Sequence, residues 1–230
     1  TIFTSDACKE ELEKRGYILS SANSINFGRL APQIAYYFSA YLDLVSSGQI
    51  QLGDKVNFAV PTGNFGNILA AYYAMRMGLP VGRLVCASNK NNILTDFFRT
   101  GVYDKRREFY KTMSPSMDIL ISSNLERLLF ELSGRNAVRT KLRMDKLKED
   151  GVYEIYDEEK EEISKLFYAD YCGEDETVET IYEFFEEYQY PMDTHTACAM
   201  YAAANYMEKE KDHDTPMVVV STASPYKFPQ

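Results

Sequence analysis

A chain of 230 residues is long enough to bury a sizeable hydrophobic core in one domain or one and a half. Its 45% hydrophobic and 26% charged residues are typical of globular proteins, and a net charge of −9 argues against non-specific nucleic-acid binding. No run approaches the roughly eighteen apolar residues of a membrane helix, so we predict a soluble protein without a membrane partner.

The first half of the chain alternates between predicted strands and predicted helices. Strands are predicted over 17–20, 55–60 and 83–87, and helices over 5–14, 26–45, 68–77 and 91–99. Such alternation indicates an α/β fold, with an open, mostly parallel sheet and helices on both faces, that is, three layers. Ligands bind at the carboxyl ends of strands in such sheets. The polar segments 20–24, 61–67 and 88–89 all follow predicted strands.

The pattern changes to mainly helical in the second half. Helices are predicted over 125–132, 138–147 and 177–188, and acidic residues are concentrated between Glu149 and Glu187. We interpret approximately 125–190 as a helical insert or lobe within one domain that spans 1–230. An alanine-rich helix over 196–207 and a last buried strand over 217–220 complete the prediction.

The cysteines and the chain ends bear on compartment and completeness. Cys8, Cys86, Cys172 and Cys198 are scattered, so neither zinc ligation nor a disulfide framework is expected, and no other metal site is predicted. Reduced thiols are typical of a cytoplasmic protein. The chain begins at Thr1 instead of methionine and stops soon after a predicted strand, so we interpret it as a piece of a longer polypeptide.

A glycine-rich turn between a strand and a helix carries the strongest chemical signal. The segment from Val60 to Asn67 reads Val-Pro-Thr-Gly-Asn-Phe-Gly-Asn. Backbone N–H groups and the positive end of a helix dipole converge in such a turn, which favours an anion such as phosphate. Gly63 and Gly66 are expected to supply positive φ. An ordinary tight turn is the alternative, and the motif alone leaves the ligand open, because it fits neither a Walker loop nor a dinucleotide fingerprint.

Three more segments accompany this turn, and the four together resemble the threonine synthase family. They are Ser-Ser-Ala-Asn-Ser-Ile-Asn followed by Phe-Gly-Arg-Leu at 20–30, Asp-Thr-His-Thr-Ala at 193–197, and Val-Ser-Thr-Ala-Ser-Pro-Tyr-Lys-Phe-Pro at 220–229. Their order and approximate spacing are those of this family of pyridoxal-phosphate (PLP) enzymes, which have a tryptophan-synthase-β-like fold. The resemblance covers about 20–228, and it is dense up to Leu128 and weak through the charged middle.

The resemblance implies PLP as cofactor and assigns residues to it. The backbone amides of Gly63, Asn64, Phe65, Gly66 and Asn67 would hold the PLP phosphate, with the Phe65 side chain packed against the sheet.

The hydroxyl of Thr222 would hydrogen-bond the pyridine nitrogen. From the residues alone, Ser221 and Thr222 are better explained as a turn that ends a strand. The family often has histidine at the position of Ser224, so no acid–base role is expected there.

The resemblance also implies a substrate, O-phospho-L-homoserine, whose phosphate would contact Asn23, Ser24 and Arg29. A guanidinium suits a phosphate dianion because it can form two parallel hydrogen bonds. Without the resemblance, Asn23 and Ser24 read as a helix cap and Arg29 as a surface residue. His195 follows Asp193 at a helix start, where a capping or supporting role is favoured over general-base catalysis.

The lysine that such enzymes need as a Schiff-base partner is not found in this chain. The family has it in a Phe-Lys-Asp type of motif upstream of the segments seen here. We therefore predict no catalytic residue in this chain and no activity of the chain alone.

The parent enzyme would convert O-phospho-L-homoserine and water to L-threonine and phosphate, and a homodimer is expected. The alternatives are an enzyme of the same fold, of the serine/threonine dehydratase or cysteine synthase type, and a non-catalytic relative that binds phosphorylated ligands.

Overall fold

A computed structural model describes residues 6–17 and 25–227, without the side chains of residues 6–9. The helices are α1 Asp6–Lys14, α2 Phe27–Ser46, α3 Gly66–Arg76, α4 Ile93–Thr100, α5 Leu125–Leu132, α6 Ala137–Glu149, α7 Asp157–Leu166, α8 Glu174–Tyr188 and α9 Thr194–Glu210. The strands are β1 Val56–Pro61, β2 Val81–Ser88, β3 Val102–Asp104, β4 Val152–Glu154, β5 Phe167–Tyr171 and β6 Met217–Val219. Short 3-10 turns occur at Pro115–Met117 and Pro225–Lys227.

The main sheet has four parallel strands in the order β5-β2-β1-β6. All six residues of β1 are buried, as expected for a central strand covered on both faces. From β1 the chain proceeds through β2 to β5 on one side, and β6 pairs on the other side. The carboxyl end of β1 therefore lies where the strand order changes direction, which is where α/β sheets bind ligands.

Alternate side chains of β1 face different helices. Phe58 and Val60 belong to the large core that includes α2, α3 and α4, whereas Ala59 packs with the alanines of α9, such as Ala199 and Ala202. Since successive strand residues point to opposite faces, helices must cover both sides of the sheet. The predicted three-layer α/β fold is confirmed.

The stretch from 125 to 190 differs from the helical insert expected from the sequence. It contains β5, whose register with β2 pairs Ala169 with Cys86, so this segment supplies an edge strand of the main sheet. It also contains β4, which pairs antiparallel with β3. The strand β5 follows α7 without a turn residue and includes a buried Asp170. A strand is usually recognised in a sequence as an apolar run with turn residues at both ends, and β5 lacks this pattern.

Most other predicted elements occur within a few residues of their expected bounds. The last strand, β6, is half-buried instead of buried, because it forms the edge of the described sheet beside β1. The predicted strand at 17–20 lies mainly outside the described residues. In the described ranges, no helix combines the length and apolar character needed to cross a bilayer.

Candidate functional site

The turn between β1 and α3 has its left-handed residue at an unexpected position. Phe65 has φ 63° and ψ 4°, whereas neither Gly63 nor Gly66 has a positive φ. The expectation that the glycines supply positive φ is therefore wrong. Gly63 is needed for space instead, because a Cβ there would lie 2.6 Å from the carbonyl oxygen of Ser116.

The side chain of Phe65 anchors the turn in the core. It is 1% exposed, and its ring lies 5.9 Å from that of Phe98 and 6.0 Å from that of Phe167. Burial of an aromatic ring on this scale can offset the cost of a left-handed residue, which is roughly 1–2 kcal/mol. Phe65 thus contributes only its backbone to the surface of the site.

The carbonyl groups of the turn are held away from the site by a neighbouring loop. Ser122 donates its hydroxyl to the Gly63 carbonyl at 2.8 Å, and Asn124 donates both its N–H and its Nδ2 to the Asn64 carbonyl at 3.1 and 3.0 Å. Among the described residues, no protein acceptor contacts the backbone N–H groups from Gly63 to Ile68. These donors, at the positive end of α3, form a ready site for an anion.

A cleft of about 280 Å³ lies in front of these donors. All five predicted loop residues line it, namely Gly63, Asn64, Phe65, Gly66 and Asn67, together with the predicted residues Thr222 and Arg29. Asn23 and Ser24 lie outside the described residues. Thr222 follows Val219 by three residues, as Thr62 follows Ala59, and Ala59 pairs with Val219. The end of β6 therefore brings Thr222 beside the turn.

Residues that sequence reasoning did not assign to a ligand also line the cleft: Gln33, Ser116, Met117, His195 and Lys227. Lys227 belongs to the segment at 220–229 that carries the resemblance, and Gln33 lies one helical turn after Arg29. The sequence pattern could therefore have assigned both residues to the site. Ser116 and Met117 come from a loop without a recognisable motif. Only the fold brings that loop to the site.

The cleft has a positive character. Arg29 and Lys227 line it, and no aspartate or glutamate occurs among its described lining residues. Gln33, on α2, has a buried Oε1 atom for which the described part of the chain provides no hydrogen-bond partner. Together with the N–H groups of the turn, these features favour a ligand that carries negative charge and polar groups.

His195 is buried at the start of α9, and its two ring nitrogens have different partners. The Ser116 N–H donates to Nε2 at 3.2 Å, so Nε2 is the acceptor. Nδ1 then carries the proton and donates to Asp193 Oδ1 at 2.9 Å. Asp193 caps α9 by accepting from the N–H groups of His195 and Thr196.

The pKa of the Asp193 carboxyl is set by opposing effects. Burial raises the pKa, but the hydrogen bonds from His195 and Thr196 outweigh burial and hold it below its ordinary value. The carboxylate is therefore ionised in the neutral range, as a cap requires.

Neither metal ligands nor disulfides are found in the described part of the chain. No group of three or more His, Cys, Asp or Glu side chains there is arranged to hold a metal ion. Cys86, Cys172 and Cys198 are buried free thiols.

Known proteins resemble the chain in both sequence and structure. The family model "Threonine synthase, C-terminal" matches residues 196–230. "Threonine synthase-like 1" of Homo sapiens is 45% identical over 214 residues, which are 93% of this chain and 28% of that protein. The threonine synthase of Pseudomonas aeruginosa is 42% identical over 216 residues, which are 94% of this chain and 44% of that enzyme.

A solved structure extends the similarity to the fold. The PLP-bound threonine synthase from Brucella melitensis superimposes with a TM-score of 0.84 at 39% identity, over 97% of this chain and 48% of that one. The chain thus spans less than half the length of the relatives it matches. By sequence and by fold, it belongs to the threonine synthase family.

Proposed function

We propose that the turn between β1 and α3 binds the phosphate of PLP through the backbone amides of Gly63, Asn64, Phe65, Gly66 and Asn67. The observation that carries this proposal is the row of N–H groups from Gly63 to Ile68, which have no protein acceptor among the described residues. A phosphate monoester offers three acceptor oxygens and negative charge, which is what these donors and the start of α3 attract.

The rest of the cleft supports the same cofactor. Thr222 lines it, and its hydroxyl would hydrogen-bond the pyridine nitrogen. A hydroxyl can hydrogen-bond that nitrogen in its unprotonated form, whereas an aspartate would keep the nitrogen protonated. When bound, PLP supplies an electron sink that stabilises negative charge on carbon atoms of an amino-acid substrate.

The positive side of the cleft supports a substrate that carries a second phosphate. We assign to Arg29, with Asn23 and Ser24, the binding of the phosphate of O-phospho-L-homoserine. Lys227 adds a second cation to the cleft. The parent enzyme would convert O-phospho-L-homoserine and water to L-threonine and phosphate. Enzymes of the dehydratase or cysteine synthase type act on substrates without this phosphate and have no comparable use for Arg29.

We place the Schiff-base lysine in another part of the longer protein. We propose that the chain alone binds PLP without catalysing the reaction, and that the parent enzyme is cytoplasmic and dimeric. Lys227 is the one lysine among the described residues lining the cleft, and we assign to it an electrostatic role instead of a covalent one.

A PLP titration followed by borohydride reduction and peptide mapping tests the cofactor site. We expect saturable binding by absorbance without one stoichiometrically reduced lysine. Reduction onto a single lysine, Lys227 above all, would show that the chain carries its own covalent anchor. Absence of saturable binding would reject the proposed phosphate site.

Arg29→Ala in the complete enzyme tests the substrate. We expect the KM for O-phospho-L-homoserine to rise about tenfold or more while PLP stays bound, because a guanidinium–phosphate pair is lost. Arg15→Ala, at an exposed position just after the end of α1, is the matched control. Unchanged kinetics of the Arg29 variant would reject the substrate assignment.

A further inference from the structure

The loop at 112–118 forms a wall of the cleft and fixes the position of the phosphate-binding turn. Its 3-10 turn, Pro115–Met117, packs directly on Gly63, where an added Cβ would lie 2.6 Å from the Ser116 carbonyl oxygen and 3.2 Å from the Met117 Cα. The backbone of Gly63 thus packs against the backbone of Ser116 and Met117, and no side-chain rotation can relieve a clash there. A shift of Ser116 therefore moves Gly63 or opens a gap beside it.

Both flanks of the 3-10 turn are tied to the sheet and to α9. Asp118 accepts from the Asn89 Nδ2 at the end of β2, at 2.8 Å, and from the Thr112 hydroxyl at 2.7 Å. Thr194 donates its hydroxyl to the Met113 carbonyl at 2.7 Å. These bonds hold the loop before and after the residue that touches Gly63.

The middle of the turn depends on His195. The Ser116 N–H donates to His195 Nε2, and His195 Nδ1–H donates to Asp193. Asp193 is itself fixed by three donors from α9, the N–H groups of His195 and Thr196 and the Thr196 hydroxyl. A series of contacts therefore connects the start of α9, through the His195 imidazole, to Ser116 and then to Gly63.

We propose that His195 is a positioning residue for the phosphate of PLP. In its neutral Nδ1–H form, it holds Ser116 against Gly63 and so sets the direction of the N–H donors of the phosphate-binding turn. It acts through Ser116 and does not move a proton. This inference rests on the proposed function, since the ligand of the turn is the PLP phosphate.

Two amide substitutions separate the two hydrogen bonds of His195. Glutamine reaches the position of Nε2 and can accept from Ser116, whereas asparagine reaches only the position of Nδ1. We expect His195→Asn to raise the dissociation constant of PLP about tenfold, equivalent to the loss of one hydrogen bond in a fixed arrangement. His195→Gln should stay within about threefold of the unsubstituted protein.

The measurement is PLP binding by absorbance in the full chain, with thermal unfolding recorded for each variant. Thr95→Val is the matched control, because it removes a buried hydroxyl bond of the same kind, to the Asp170 carbonyl between α4 and β5, and leaves the loop at 112–118 untouched. Equal binding by the asparagine and glutamine variants, or an equal loss in Thr95→Val, would overturn the positioning role.

Gly63→Ala keeps the inference testable if the histidine variants do not fold. The new Cβ must displace Ser116, so we expect PLP binding to weaken about tenfold or more. Binding at the unsubstituted level would overturn the inference. If the unsubstituted protein itself does not bind PLP, the proposed function fails first, and the two failures are thereby distinguished.

Discussion

Tyr37 on α2 donates its hydroxyl to Asn67 Oδ1 at 2.8 Å and lies 3.0 Å from the Asn67 carbonyl oxygen. Tyr37 is buried, and its ring meets Phe58 of β1 edge-on at 5.1 Å. The helix that carries Arg29 is therefore joined to the first turn of α3 and to the central strand. Because Oδ1 is the acceptor, the Asn67 amide turns its Nδ2 donors away from Tyr37.

Tyr37→Phe should lower both the stability and the affinity of the phosphate site. The ring keeps its packing, but a half-buried acceptor on Asn67 loses its donor, at a cost of about 0.5–1.5 kcal/mol in the free energy of unfolding. With Asn67 released, we expect weaker binding of PLP, measured by absorbance titration alongside urea unfolding.

Tyr41→Phe is the control one turn further along α2. Its hydroxyl accepts from the Gly53 N–H at 2.7 Å, at the opposite end of the sheet from the phosphate-binding turn. This variant should lose stability of the same order and keep its affinity for PLP. Equal affinities of both variants would contradict the coupling between Tyr37 and the site.

The left-handed backbone of Phe65 predicts an unusual order of stability for two substitutions. Both Phe65→Ala and Phe65→Gly remove the same ring from the core, at about 3–5 kcal/mol. At φ 63° glycine avoids the Cβ penalty, so Phe65→Gly should be about 1 kcal/mol more stable than Phe65→Ala.

Phe97, equally buried but within α4, supplies the comparison for Phe65. There the order should reverse, with Phe97→Ala about 1 kcal/mol more stable than Phe97→Gly. Denaturant unfolding of the four variants measures both differences. The same order at both positions would contradict the left-handed conformation of Phe65.

Lys227→Met should weaken the binding of phosphorylated ligands in the cleft. It removes a positive charge from a cleft in which no carboxylate occurs among the described lining residues. We expect the dissociation constant of inorganic phosphate to rise about threefold to tenfold, with a smaller effect at high salt because exposed charges are screened. Lys211→Met, at the far end of α9, should leave phosphate binding unchanged. Equal binding by both variants would exclude a charge effect of Lys227.

The sequence predicts the layers of this fold well, because their signals are local. The apolar run before Pro61, the turn and the amphipathic helix after it specify one β-α unit, and the burial of all of β1 agrees with it. The predicted site residues that line the cleft include ones that follow strands, such as Thr222. In contrast, β5 follows a helix directly, and its Asp170 is acceptable in a strand only because Arg99 and Lys209 approach it at 2.6 and 3.1 Å.

The parts that could not be predicted depend on contacts between distant segments. Ser116 reaches Gly63 because His195, 79 residues later, accepts its N–H. The sequence around Ser116 contains no pattern that predicts this hydrogen bond. Likewise, the choice of Phe65 over a glycine for the left-handed position depends on the aromatic cluster that receives its ring.

Asp212 links the end of α9 to β1 and gives a prediction about pH. It accepts from Asn57 Nδ2 at 2.8 Å, the Tyr206 hydroxyl at 2.7 Å and the Thr215 N–H at 3.2 Å. Burial raises the pKa of Asp212, but these donors outweigh burial and lower it from 3.8 to about 2. The ionised form is therefore the one that the folded state stabilises.

Since the folded pKa of Asp212 is depressed, its contribution is fully present above the unfolded value of 3.8 and is lost as pH falls towards 2. Asp212→Asn should reduce the free energy of unfolding by about 1–3 kcal/mol at pH 7. The difference should shrink between pH 4 and pH 2, because the carboxyl becomes neutral in the unsubstituted protein too. Urea unfolding across this range measures it, with Asp214→Asn, exposed in the same loop, as control. If the difference in the free energy of unfolding stays constant with pH, the charge of Asp212 does not contribute to stability.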